Sequence, residues 1–89
     1  MTRKDRIAAA LTEALLPIRL EIVDESDRHA GHSSARPGGE THYRLHIVSP
    51  AFVGKSRIER HRMVNALLAA EFTSGLHALA IAAAAPEEA

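Results

Sequence analysis

The stretch that most constrains this chain is residues 41–82, where the spacing of apolar side chains changes from two to between three and four, and then back. In "THYRLHIVS", Tyr43, Leu45 and Ile47 alternate with His42, Arg44 and His46, the period of a strand with one buried face. Pro50 ends that run and the turn "AFVGK" follows. "SRIERHRMVNALLAAEF" then places Met63, Val64, Leu67 and Leu68 on one helical stripe, behind Ser56 and Glu59 at capping-box spacing. Thr73, Ser74 and Gly75 break this helix, and "LHALAIAA" returns to alternation with Leu79 and Ile81 in phase. A strand that leaves a sheet through a helix and returns to it runs parallel to its predecessor, by a right-handed crossover. The segment therefore predicts a parallel β-α-β unit.

The preceding residues supply what this unit needs to bury its faces. "TRKDRIAAALTEALLP" offers Thr2 as an N-cap with Asp5 three residues on, then Ile7, Leu11 and Leu15 on one face before Pro17, a helix of about four turns. "IRLEIVD" alternates with Ile18, Leu20 and Ile22 on one face, and a strand here would run antiparallel to the one that follows. Between them, residues 25–41 form a loop too rich in Gly, Ser and Pro to continue the strand, flexible and bearing histidines. Residues 83–89 read as a short acidic tail with no core left to join. The 89 residues predict one α+β domain, ordered α-β-β-α-β, with a three-stranded mixed sheet packed by helices on one face.

Composition narrows the chemistry. The 11 basic and 11 acidic residues balance, so no global field favours nucleic acid or an anionic membrane. The absence of Cys leaves imidazole and carboxylate as metal ligands. No apolar run is long enough for a signal peptide core or a membrane span, so the expected location is cytoplasmic. No nucleotide loop, catalytic Cys or Ser elbow marks an enzyme.

The topology gathers the histidines. The end of the first strand, the loop, the start of the second strand at His42 and the start of the third at His77 all fall at one edge of the sheet. His29, His32 and His77 thus form a candidate metal site, against the reading of solvated loop imidazoles and a structural His77. Two imidazoles leave a shell of three or four ligands incomplete, so a partner must complete it. His42 drops out, because strand parity faces it away from the side that His77 shares with Leu79 and Ile81. His42, Arg44 and His46 form either an anion-binding row or an ordinary polar face. Lys55, Arg57, Arg60, His61 and Arg62 surround the start of the long helix, where free amides and cations can hold phosphate. Against that stand Glu59 within the run and a near absence of aromatic residues for base stacking. Asp24, Glu25 and Asp27 could hold a hard cation or act as bases, though nothing in their spacing singles them out.

Taken together, "LEIVDESDRHAGH", "ETHYRLHIVSPAFVGKSRIERHRMVNALLAAEF" and "LHALAI" resemble the BolA family in order and spacing, across about residues 3 to 82. The resemblance implies a fold similar to the class II KH domain. It also implies a histidine at the start of the last strand, which falls on His77, and a second ligand from the loop, which falls on His29 with His32 as the alternate or as a supporting neighbour. BolA-like proteins pair with monothiol glutaredoxins, and the pair can hold a [2Fe-2S] cluster to which glutaredoxin and glutathione bring thiolates. By that resemblance the isolated protein is a monomer without a cofactor, and Arg60 and Arg62 are candidate contacts to the partner or to glutathione. The alternative that the resemblance carries is a DNA-binding transcriptional regulator using Lys55, Arg57, Arg60 and Arg62. Here the turn reads "FVGK" where a KH domain has a full GxxG clamp on the nucleic-acid backbone.

Overall fold

The computed structural model describes residues 2–25 and 41–89. Helix α1 (Arg3–Leu15) opens on the expected capping box: Thr2 Oγ1 accepts from the Asp5 amide, and the Asp5 carboxylate accepts from the Thr2 amide. Its buried face is Ile7, Leu11 and Leu15, together with Arg3. Leu16 closes the helix in the left-handed region at φ 45°, and its amide donates to the Thr12 carbonyl, a helix ending that Gly fills at lower cost.

Strand β1 (Arg19–Asp24) pairs antiparallel with β2 (His42–Val48), and β2 pairs parallel with β3 (Ala78–Ala84). The sheet order is β1-β2-β3, as the spacing predicts. Tyr43, Leu45 and Ile47 of the central strand are buried and meet Ile7, Leu11, Phe52, Val64 and Leu68 in the core. Leu20, Ile22, Leu79 and Ile81 pack half-buried on the same side, since each lies on an outer strand. Ile18 shares their parity but is 66% exposed. The tight turn through Leu16 and Pro17 leaves it before the strand and beyond the end of α1.

The long helix expected after Ser56 is two helices, α2 (Arg57–Leu67) and α3 (Ala69–Ser74). They are separated at Leu68, whose backbone (φ −105°, ψ 14°) leaves helical geometry. The break lets Leu68 stay buried while α3 swings Glu71 toward α1. There Glu71 receives Nη1 of Arg3 at 2.9 Å and Nε of Arg6 at 2.9 Å. Leu67, which the helical stripe assigns to the core, is 37% exposed in consequence.

The closing stretch is not the unattached tail that its composition predicts. Ala85 is 1% exposed and belongs to the core, and Pro86–Glu88 form a 3-10 turn. The Glu88 carboxylate accepts from the Ala85 amide and from Arg60 Nη1, each at 2.6 Å.

Candidate functional site

His77 reaches its position through a sequence of local constraints. Gly75 ends α3 at φ 132°, a value that side chains other than hydrogen rarely adopt. Leu76 then enters the core at 3% exposure, its amide donating to the Glu71 carbonyl. The next two amides, of His77 and Ala78, both donate to the Thr41 carbonyl, at 2.8 and 3.2 Å. Two residues facing one is the pattern of a bulge, and it interrupts strand alternation. His77 is therefore released from the parity of Leu79 and Ile81 and is exposed at the sheet edge.

This corrects the exclusion of His42. His42 is only 8% exposed, its Nδ1 is 2.8 Å from Thr41 Oγ1, and its ring meets that of His77 edge to face, with centroids 5.8 Å apart and an interplanar angle of 85°. The exposed imidazole thus rests on a buried one. Parity missed the pair because it fails at the first residue of a strand, where the bulge sits. His29, His32 and Asp27 lie outside the described residues. No group of three or more potential metal ligands is assembled among the described residues.

The remaining candidates separate by their partners. Glu25 donates its amide to the His42 carbonyl, and its carboxylate accepts from Arg44 Nε at 3.1 Å. On β1, Glu21 takes Arg19 of the same strand at 2.7 Å and reaches across to His46 Nδ1 at 3.3 Å, and the Arg19 guanidinium holds the Glu21 carboxyl below its ordinary range. On the outer face of β2, Arg44 and His46 therefore each reach a carboxylate of the first strand or the residue after it, the ordinary polar face rather than a free row of cations.

At the other end of β3, two adjoining hollows of about 330 and 360 Å³ run between α2 and the strand. His46, Arg57 and His61 border the first; Lys55, Arg57, Arg60 and Glu88 border the second. Arg62 borders neither. Arg60 lies over the Phe52 ring at 6.0 Å and donates to the carbonyls of Lys55 and Ala83 as well as to Glu88. It serves as a tie between the turn, α2 and the end of β3. The amides at the start of α2 are also engaged. Ser56 Oγ accepts from the Glu59 amide, the Glu59 carboxylate accepts from the Ser56 amide, and that bond lowers the Glu59 pKa. A phosphate approaching this helix end would meet a carboxylate. Gly54, at φ 75° in "FVGK", gives the preceding turn the conformation it needs.

A small mixed sheet with helices on one face, and a histidine presented where the parallel strand begins, define an α+β domain built to expose an edge. The BolA-like protein family model matches residues 11–88, and the chain belongs to that family. It is 49% identical to an uncharacterized protein in the cobS 5' region of a Sinorhizobium species, over 99% of this chain and 96% of that protein. The DNA-binding transcriptional regulator BolA of Escherichia coli is 40% identical, over 91% of this chain and 73% of that protein. Among solved structures, the BolA domain of SufE1 from Arabidopsis thaliana superposes with a TM-score of 0.90 at 48% identity, covering 100% of this chain and 98% of that one.

Proposed function

We propose that this chain is the histidine-bearing partner of a monothiol glutaredoxin in iron-sulfur cluster trafficking, assembly or iron-dependent regulation, with His77 as a ligand to a [2Fe-2S] cluster shared by the two proteins. The observation that carries this reading is an exposed imidazole braced against the buried ring of His42, on a chain without Cys. The donor set suits the group only as a share. [2Fe-2S] clusters are held by thiolates, or by two imidazoles on one iron in Rieske centres. His77, with His29 or His32 from the segment between the first two strands, can offer neutral nitrogen while glutaredoxin and glutathione offer sulfur. Substituting imidazole for thiolate lowers the negative charge at the cluster and raises its potential. The His42 ring, packed edge to face against that of His77 and tied to Thr41 Oγ1, narrows the space in which the His77 ring can turn, which reduces the entropy lost when a ligand is fixed. Ligation also requires the imidazole to be neutral, so acid opposes it.

The test is to combine the chain with a monothiol glutaredoxin, iron, sulfide and glutathione, and to record absorption and circular dichroism. A spectrum distinct from that of the glutaredoxin homodimer is expected, and His77→Ala removes the distinction. A homodimer spectrum that His77→Ala leaves unchanged refutes the reading.

A second reading, binding to DNA as a transcriptional regulator, draws on the name of the Escherichia coli relative and on Lys55 and Arg57, which are exposed and form no ion pair among the described residues. If phosphates dock there, Lys55→Ala with Arg57→Ala flattens the log–log salt dependence of DNA affinity by about two. A flat salt response in the unaltered protein removes this reading.

A further inference from the structure

The outer edge of β3 has no strand beside it among the described residues. The Ala84 carbonyl accepts from the Ser49 amide on the β2 side, whereas the Ala83 carbonyl accepts from Arg60. The backbone groups of Leu79, Ile81 and Ala83 therefore point outward. Of these, only the Ala83 carbonyl has a partner among the described residues. Natural edge strands are usually shielded by a charge, a proline or a covering segment, and Ala78–Ala84 carries no charge and no proline. Alanine at positions 82 and 84 also leaves the approach low, so that His46 of the neighbouring strand borders the hollow over them.

We propose that this edge, with the groove between it and α2, takes an extended acidic peptide segment of a partner protein as a fourth strand. Main-chain pairing would supply affinity and alternate side chains the choice of partner. The cations set that choice. Lys55 and Arg57 stand exposed along the groove with His61 beside them, and the acidic groups nearby are Glu88, already held by Arg60, Glu59, held by Ser56 and near Lys55, and Glu21, which takes Arg19 and reaches His46. The chain itself shows what the groove accepts: the Glu88 carboxylate of the acidic closing stretch sits at its end, bound to a guanidinium and to a main-chain amide. A second copy paired through the same edge would set these cations against each other. Single-stranded nucleic acid would find no Phe, Tyr or Trp ring to stack on here, because Phe52 is 0% exposed beneath Arg60 and only the imidazoles of His46 and His61 border the hollow.

The test titrates the isotopically labelled full chain with capped hexapeptides and follows amide resonances. The peptide Glu-Val-Glu-Thr-Glu-Val is expected to shift the amides of Leu79, Ile81 and Ala83. Replacing its Val and Thr by Pro, which keeps the charge, removes every second main-chain donor and disrupts the pairing of a strand, weakens binding at least tenfold. Lys55→Ala with Arg57→Ala does the same. Equal binding of the proline peptide would reduce the site to an unspecific cationic surface and overturn strand addition. So would an oligo-dT that shifts these amides when the acidic peptide does not. Concentration-dependent broadening of the three amides without peptide would assign the edge to a second copy and equally contradict the proposal.

Discussion

Strand β3 is bracketed by two arginine–glutamate clamps that look alike in sequence and differ in surroundings. Before the strand, Glu71 takes both Arg3 and Arg6, with Arg3 and Glu71 side chains only 10% and 12% exposed. After the strand, Arg60 takes Glu88, whose side chain is 49% exposed. The first clamp also binds Arg3 to Ser74 Oγ at 2.8 Å and so fixes the end of α3 from which Gly75, Leu76 and His77 follow. The second is buried on its guanidinium side, Arg60 being 11% exposed, and open only at the carboxylate. One end of the strand is built to present a side chain in a fixed place, and the other to remain accessible. Charge pairs with the same residue types therefore do different work according to how far the carboxylate is buried, because water reaches and screens Glu88 and leaves Glu71 dependent on its partners.

Glu71→Gln should break this contrast most visibly. It leaves two guanidinium groups without their carboxylate, one of them buried, and is expected to lower the free energy of unfolding by about 3 kcal/mol in chemical denaturation. A loss no larger than that of an exposed substitution would show that the first clamp is as loose as the second. Acid titration sharpens the same point. The Arg6 hydrogen bond, with the charges of Arg6 and Arg3, holds the Glu71 pKa below its ordinary 4.5. The folded state therefore binds this proton less readily than the unfolded state. Its stabilisation is complete above about 4.5 and is lost as pH falls through the lower folded value. The slope of stability against pH below 4.5 should become shallower in Glu71→Gln, and an unchanged slope would contradict the assignment.

Next in size is Thr41→Val, which removes the hydrogen bond to buried His42 Nδ1. It should cost about 1 kcal/mol by thermal unfolding and broaden the His77 ring resonances as the brace loosens. Sharp, unshifted His77 signals would mean that His42 does not position it. The smallest effect is expected of Glu88→Gln, which should leave the unfolding midpoint unchanged while hydrogen exchange at the Ala85 amide speeds up. A cooperative loss of stability there would make the two clamps equivalent.

What was legible in the sequence follows from which interactions are local or periodic. The capping boxes at Thr2/Asp5 and Ser56/Glu59 and the alternation of Tyr43, Leu45 and Ile47 are short-range patterns, and together with the parallel crossover they place His77 at the edge of the sheet. The break at Leu68 was not legible, because what rewards it is the meeting of Glu71 with Arg3 and Arg6, more than sixty positions away. The Arg60–Glu88 pair, 28 positions apart, was hidden for the same reason, so the acidic end looked unattached. The His42–His77 contact was misread because a shared Thr41 carbonyl shifts one residue at a strand's start, which no period reports. The candidate ligands His29 and His32 lie outside the described residues, and only their place between β1 and β2 ties them to the same edge.

The central claim, that His77 brings nitrogen to a cluster shared with a monothiol glutaredoxin, is tested most directly by pulsed electron paramagnetic resonance of the reduced heterocomplex. The chain is labelled with 15N-histidine and the glutaredoxin is left unlabelled. A strongly coupled 15N signal in the complex that His77→Ala removes is the predicted result. A cluster that forms in the complex without any strongly coupled 15N signal, or one whose signal His77→Ala leaves intact, would contradict it.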